Sequence, residues 1–548
     1  MFDLKSIYFY FLAVQINFIK FFKKIYFASN FYNKSLVSKI PQQFYFYPNP
    51  FLLGLITNYK MYLFKINEID SNVFWVKQKN SKEEKKIHSF LWLNLIDRKS
   101  DSKSIQKLIS IWMLKNSKYK RNIWESSVLC KRIISWIISV DVILKNCSFD
   151  FKRNFLNSII TQTNHIKNNI RFEKNHSKRL EILTTLILSG LVFKEYEDNF
   201  NTGIKELEKL AKNYFDEDGF PLSRNPSELI YFCKFLLLCQ IFIKDAQKHV
   251  PDFLEDLIKK NFSCIKSLST PNNQVPLFNG GTEEDIHDFK KFVLDLNFEF
   301  NKKKKLIGGI QVLSNKNSSV LFDIGEPPNK NFSNSYQSGP LSFEYYLDKE
   351  KIITNCGFGS NISTKAEFLS RLTSAQSTLS INDTSVTKFE KNRLVNKIFG
   401  YSIKNNFKIL DVDFKEDPDQ IKSTAAHNGY LRDFGCIHKR IITLNKSSHE
   451  LFGRDELIKK QDGRPINYSL RFHLYPGLTA VKTMSGNKVL IQISKKKSLV
   501  FTIKNESVIL EKSIFLGRNK ILNNICITVS GNLVNKNKII EWKIKKNI

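Results

Sequence analysis

Lys302-Lys303-Lys304-Lys305-Leu306-Ile307-Gly308-Gly309 is the stretch at which the pattern of this chain changes. Upstream, apolar residues recur every three to four positions, the period of a helix with one buried face. Ile105, Leu108, Ile109, Trp112 and Met113 show it, and so do Trp124, Val128, Leu129, Arg132, Ile133 and Trp136. The same spacing predicts helices over 153–172, 176–196, 203–215 and 226–249. Asn225-Pro226-Ser227-Glu228 opens the last of these, with proline in the first turn, where a missing N–H breaks no helical bond. Short connections between such helices make antiparallel hairpins, an α/α array ending near Asn301.

Downstream, the period drops to two. Segments 320–324, 341–345, 351–353, 437–444 and 498–503 alternate as strands, and Pro327-Pro328, Asn355, Gly357, Gly359 and Asn382-Asp383 punctuate them. Ser370 to Thr387, Ser/Thr-rich with Leu379 and Ile381 on alternate positions, reads as a strand with its approach loop. Many short strands without intervening helices indicate an antiparallel sandwich. The fold class is therefore multidomain α+β, helices first and β-sandwich second. Three segments follow: 1–84, an N-terminal amphipathic helix and small extension; 85–301, the helical domain; and 302–548, the sandwich. Alternation around Met61, Leu63, Ile66, Phe74 and Trp75 predicts a small hairpin within 60–95.

The net charge is +33. A basic surface recruits polyanions, but abundant Lys, Asn, Ile and Phe also fit coding bias, with Lys filling solvated faces. Nucleic acid is an unlikely partner, because no motif for it accompanies the charge. Eight cysteines are scattered without a CxxC pair, most of them in apolar runs, which speaks for reduced buried thiols and against a disulfide framework or zinc ribbon. Residues 7–27 are apolar and aromatic but broken by Gln15, Asn17, Lys20, Lys23 and Lys24. They read as a packed amphipathic helix, or as a helix making peripheral membrane contact. The charge follows the apolar run, the wrong order for a secretory signal.

Shorter motifs occur in a fixed order: Trp124 through Trp136, Asn175-His176, Ser223-Arg224-Asn225-Pro226, Pro276-Leu277-Phe278-Asn279, Gly339-Pro340-Leu341-Ser342-Phe343-Glu344, Asn355-Cys356-Gly357, His427-Asn428-Gly429-Tyr430, His438-Lys439-Arg440 and Arg471-Phe472-His473-Leu474-Tyr475-Pro476. The set resembles the heparinase II/III-like family of bacterial polysaccharide lyases, over about residues 85 to 545, and most of all its envelope-associated alphaproteobacterial branch. The resemblance implies an incomplete α/α toroid followed by a heparinase II/III-like β-sandwich. It implies β-elimination on an acidic, uronic-acid polysaccharide, with the alternative of a catalytically impaired polysaccharide-binding or envelope-biogenesis protein on the same fold. Elimination removes the proton α to a carboxylate and expels the 4-linked oxygen. It needs a donor on the carboxylate, a base and an acid, and no cofactor.

Asn175 matches the family residue that faces the substrate carboxylate, and His176 adjoins it; both open a helix, where a plain N-cap is the competing role. Arg224 and Asn225 are candidates to grip a carboxylate. Where the family has a catalytic tyrosine, this chain has Glu228, and the nearest phenol is Tyr231. Gln376 occupies the place of the family's histidine, in Ala375-Gln376-Ser377-Thr378, and glutamine cannot shuttle a proton near neutral pH. Arg371 matches a family arginine suited to a polymer carboxylate. His427 with Tyr430 is the candidate groove-facing pair. His438 and His473 are candidate ligands of a structural divalent metal, with Asp411, Asp413 or Asp433 as a third. The resemblance points to the periplasm or cell envelope, while the thiols and the N-terminal charge order point to the cytoplasm or a membrane surface.

Overall fold

Helix follows helix up to His287–Asp295, and strands begin at Leu306–Ile307, just past the lysine run. The computed structural model describes residues 4–57, 74–75, 81–99, 102–300, 304–448, 450–461, 465–533 and 537–547. It divides into two compact units, Met1–Tyr214 with Tyr231–Ile258, and Phe215–Ile230 with Lys259–Ile548.

The first unit is helical. Its central helix, His176–Val192, is buried at every position from Leu180 onward, so it reads apolar on all sides. Glu197–Tyr214 packs beside it with one apolar stripe and carries Lys209–Glu206 and Lys212–Glu208 pairs on the outer face. Two glycines let these helices approach closely. A Cβ on Gly190 would stand 2.3 Å from Phe200 N, and one on Gly203 would stand 2.7 Å from Ile187 Cγ1. Arg132 falls in the apolar row of Ser126–Ile138 and is fully buried. Its guanidinium lies 4.4 Å from the Trp112 ring centre and donates to Gln162 Oε1 and to the carbonyls of His88 and Ile123, which explains a charge in a core position. The expected hairpin within 60–95 lies largely outside the described residues. Its described end, Ser81–His88, is instead a helix, with Glu83 and Glu84 in the first turn and Lys85, Lys86 and His88 in the last, the order the helix dipole favours.

The second unit holds two sheets, antiparallel throughout. A nine-stranded sheet runs by neighbours through Leu306–Ile307, Ile310–Ser314, Ser318–Asp323, Phe343–Leu347, Glu350–Thr354, Ile466–Leu474, Leu522–Leu533 and Ile509–Phe515, with Leu379–Ile381 also paired to Ile466–Leu474. An eight-stranded sheet runs through Thr479–Lys482, Lys488–Ser494, Lys497–Ile503, Lys538–Lys546, Leu451–Lys459, Cys436–Asn445, Gln420–His427 and Ile409–Glu416. Their inner faces share one core. Phe343 stacks on Trp542 at 5.5 Å, and Phe472 meets Phe501 at 5.0 Å. The strand expected within Ser370 to Thr387 shrinks to three residues, reached through the helix Thr364–Ser370 and the 3-10 turn Thr373–Ala375. Helices followed by an antiparallel sandwich is thus the observed fold class.

Candidate functional site

In the helical unit, Asn175 is the exposed N-cap of His176–Val192, and its Oδ1 accepts the Lys178 N–H at 3.0 Å. His176 is half-buried and stacks on Tyr214 at 4.7 Å. Burial, helped by Arg179, lowers its pKa, so the imidazole is neutral at pH 7. Tyr231, the nearest phenol to the expected tyrosine position, donates to Glu181, a carboxylate also bound by Ser127 and Lys131. Burial and then Glu181 push the Tyr231 pKa well up, so that hydroxyl is a structural donor.

In the sandwich unit the expected carboxylate-gripping arginines are committed to the protein itself. Arg224 has φ 59° and is buried. Its guanidinium makes five hydrogen bonds, matching its five N–H donors: to Asp323, and to the carbonyls of Gly308 (2.8 Å), Gly309 (3.4 Å), Gly325 (3.1 Å) and Glu326 (3.0 Å). Arg371 is wholly buried and donates to the carbonyls of Tyr336 (2.8 Å) and Ser333 (2.7 Å) beneath the Phe389 ring. Asn225 is buried; its Oδ1 caps the Ser227 N–H at 2.9 Å. Glu228 accepts the Ser223 hydroxyl. These positions brace backbone, and the one guanidinium nitrogen among them without a hydrogen-bond partner, Arg371 Nη1, is buried.

Gln376 is buried at 2% exposure, and its Nε2 donates to the Ser370 carbonyl at 2.8 Å. Tyr430 is buried, and its hydroxyl donates to the Leu379 carbonyl at 3.1 Å. His427 and His438 do come together, on paired strands with both rings buried. Gly429 N–H donates to His427 Nδ1 at 3.2 Å, which leaves the His427 proton on Nε2, facing His438 Nδ1 at 3.3 Å. His438 Nε2 then donates to Asp455 Oδ1 at 2.7 Å. The same carboxylate accepts Arg440 Nε at 2.7 Å and Trp542 Nε1 at 2.8 Å. Burial lowers the pKa of both histidines, so both are neutral. Burial alone would raise Asp455, but Arg440 and His438 outweigh it and hold the pKa at about 2. The group is a closed interior network around an Arg440–Asp455 ion pair.

The expected metal pair is not formed. His438 sits on the eight-stranded sheet and bonds Asp455, whereas His473 sits on the nine-stranded sheet and bonds Ser513 Oγ (3.0 Å) and the Ser374 carbonyl (3.1 Å). Asp411, Asp413 and Asp433 lie at the surface with Lys439, Lys415 and Lys388. Among the described residues no three His, Cys, Asp or Glu side chains group as metal ligands. The carboxylate beside His438 is Asp455, which the sequence reading missed. Its signal was present: Leu451, Gly453, Asp455 and Leu457 share the buried phase of one strand, and an acid in that phase calls for a buried partner.

A concave basic surface in this unit is a cavity of about 580 Å³ lined by Ser267, Thr270, Lys304, Lys305, Lys316 and Lys349 among others. Lys304 pairs with Asp218 and Lys305 with Glu416. Lys316 and Lys349 have no ion-pair partner among the described residues. The acidic lining residue, Asp348, is already neutralised by Lys497 (2.9 Å) and Lys546 (3.0 Å).

Residues 302–543 match the family model described as Heparinase II/III-like, C-terminal. The sandwich is a heparinase II/III-like C-terminal domain. Solved structures share the architecture. A structure titled Heparinase III-BT4657 gene product aligns at TM-score 0.67 and 13% identity over 87% of this chain and 81% of that one. Heparan sulfate lyase HepC from Pedobacter heparinus aligns at TM-score 0.61 and 15% identity over 87% and 78%. At such identities the likeness shows fold alone. A curated relative, FtsZ-localized protein C of Caulobacter vibrioides, is 28% identical over 196 residues, 34% of this chain and 32% of that protein. The matched stretch therefore spans about a third of that relative, whose source agrees with the alphaproteobacterial branch. The heparinase II/III-like domain of this chain keeps the motifs of the resemblance chiefly as internal bonds.

Proposed function

We propose that this protein binds an acidic polysaccharide in the cell envelope without cleaving it. One observation carries the reading: every proton carrier that the resemblance suggests in the heparinase II/III-like domain is buried and bonded to protein, and position 376 is a glutamine fixed by a backbone carbonyl. A base that cannot reach a substrate proton does not eliminate. Binding is supported by the net charge of +33 and by the lysine-lined cavity, where Lys316 and Lys349 are uncommitted cations. The similar solved proteins include a heparan sulfate lyase, which favours a carboxylated or sulfated saccharide as the ligand class. An envelope location is part of the proposal, and the name of the relative, FtsZ-localized protein C, is compatible with it.

A second reading, β-elimination, rests on His176. It is half-buried, neutral at pH 7 and beside a helix N-terminus, the features of a usable base. The test is titration with heparin, alginate and polygalacturonate, following bound ligand by calorimetry and unsaturated product by ultraviolet absorbance. The expected result is binding that weakens as salt is added, with no product. Lys316→Glu with Lys349→Glu should weaken binding about fivefold, since exposed charge contacts contribute roughly 1 kcal/mol in all at such sites. Product from the native chain, lost in His176→Ala, would refute the binding-only reading and establish the second.

A further inference from the structure

The helix Leu4–Ala28 carries an apolar surface that the described residues leave uncovered. Tyr8, Phe11, Phe18, Phe21, Phe22 and Ile25 are each more than half exposed. At about 100° per residue they fall within an arc of about 140° on one side of the helix. The opposite side faces the protein. Ala13 is fully buried there, and Phe27 packs on Tyr32 (4.7 Å), Tyr119 (5.2 Å) and His165 (5.2 Å). The helix is therefore a docked part of the helical unit, and its outer side is a contiguous aromatic surface of the kind soluble monomers avoid.

The charge pattern says what covers it. The helix contains no Asp or Glu. Lys23 and Lys24 lie on the two borders of the apolar arc, each about 60° beyond its edge by the same helical geometry. Lys23 is held over the Phe172 ring, itself 62% exposed, which adds to the apolar surface on that border. Twenty-five residues extend about 37 Å. A flat apolar arc of that length, bordered by lysines that can reach phosphates, fits the headgroup boundary of a bilayer. A span across the bilayer is disfavoured by Gln15, Asn17 and Lys20 within the helix and by the face already packed on the protein. Pairing with a second copy of the chain is disfavoured by charge, since it would bring the bordering lysines of two helices together with no Asp or Glu on the helix to offset them.

We infer that Leu4–Ala28 lies in the plane of an anionic membrane surface, its aromatic side in the acyl boundary and its lysines on the headgroups. This stands apart from the polysaccharide reading, since it uses neither the cavity nor His176. The test is flotation of the full chain with vesicles of phosphatidylcholine alone, and with phosphatidylcholine containing about one third phosphatidylglycerol. Sedimentation velocity is run without lipid. The native protein should float with the anionic vesicles and be released by salt. Phe11→Glu with Phe18→Glu and Phe22→Glu changes exposed positions, so thermal unfolding should hold while the vesicle-bound fraction falls at least about tenfold. Failure of the native chain to float with either vesicle overturns the inference. So does flotation unchanged in the triple variant. So does a native dimer that the triple variant turns to monomer, which would make the face a pairing surface between copies.

Discussion

Asp455→Asn tests whether the interior network of the sandwich is held by one charge. The substitution keeps the shape of the side chain but removes the counter-charge of Arg440, a residue with 0% exposure whose Nη1 is already spent on the carbonyls of Leu341 (2.6 Å) and Ser377 (2.9 Å). Breaking one partner of a buried ion pair costs about 3–5 kcal/mol, because the remaining charge cannot be rehydrated. The amide also turns a donor toward one of three existing donors, Arg440, His438 or Trp542. A loss of about 4 kcal/mol is then expected, a large part of the roughly 5–15 kcal/mol that holds a domain folded. Urea unfolding reads it directly, and Trp542, the single tryptophan of this unit among six in the chain, supplies the part of the fluorescence change that comes from the sandwich.

The same residue predicts a pH limb. Its folded pKa is depressed from 3.8 to about 2, so its contribution is fully present above the unfolded value near 3.8 and is lost as pH falls through the folded one. The shift corresponds to roughly 2 kcal/mol, which the native sandwich should lose between about pH 4 and pH 2. The asparagine variant has no proton to take up there and should lack that limb. A loss of less than about 1 kcal/mol in urea, or an acid limb identical to the native one, would refute the claim that Asp455 neutralises Arg440.

Arg224→Lys should lower the stability of the second unit by about 2–3 kcal/mol while leaving polysaccharide affinity of the folded fraction unchanged, as calorimetry beside urea melts will show, because three donors replace five around Asp323 and the carbonyls. Gln376→His should yield no lyase product by ultraviolet absorbance and should cost about 1–2 kcal/mol, since the imidazole lands in a buried site that now supplies a carbonyl to an amide. Gly453→Ala places a methyl 2.0 Å from Trp542 Cζ2 and should destabilise by about 1–3 kcal/mol, with the Trp542 fluorescence shifted. His165 and His473 have folded pKa values of about 4, lowered by burial, against about 6.5 unfolded. Their stabilisation is complete above pH 6.5 and is lost as pH falls toward 4, at about 1.4 kcal/mol per pH unit for each, so the thermal midpoint should drop steadily between pH 6.5 and 4; a flat midpoint would count against both being buried neutral.

How far the fold could be read follows from which interactions are local. The helices and the sandwich strands were legible because burial imposes a period within one element: residues 436–445 alternate buried and half-buried at every step. The small hairpin was misread at its described end because Ser81–His88 has one apolar residue, Ile87, and so no apolar period to go by, while its charges run in the order that the helix dipole favours. The site was less legible. Arg224 looks like a surface arginine at a helix start, and its carbonyl acceptors come from 84 to 102 residues further along the chain. Asp455 could have been found, from its phase in the strand. Asn175 takes up the cap position that was weighed as its competing role, and nothing in one sequence separates a cap that also meets a ligand from one that does not.

The motifs that carry the resemblance bond chiefly to one another. Asn355 Nδ2 donates to the Leu277 carbonyl (3.2 Å), and its Oδ1 accepts the Ser377 N–H (3.0 Å). Thr378 Oγ1 donates to the Pro340 carbonyl (2.8 Å), and Arg440 reaches Leu341 and Ser377. Segments 276–279, 339–344, 355–357, 375–378 and 438–440 are thus knitted into one buried polar frame, where each lost bond would strand a partner in low dielectric. A chain can give up elimination and still need every one of these residues to hold its sandwich. Motif similarity in this domain therefore reports the frame. Under the proposed binding reading, the difference from an enzyme lies at position 376, where glutamine binds backbone and cannot shuttle a proton, and at groups such as the half-buried His176 that elimination would require.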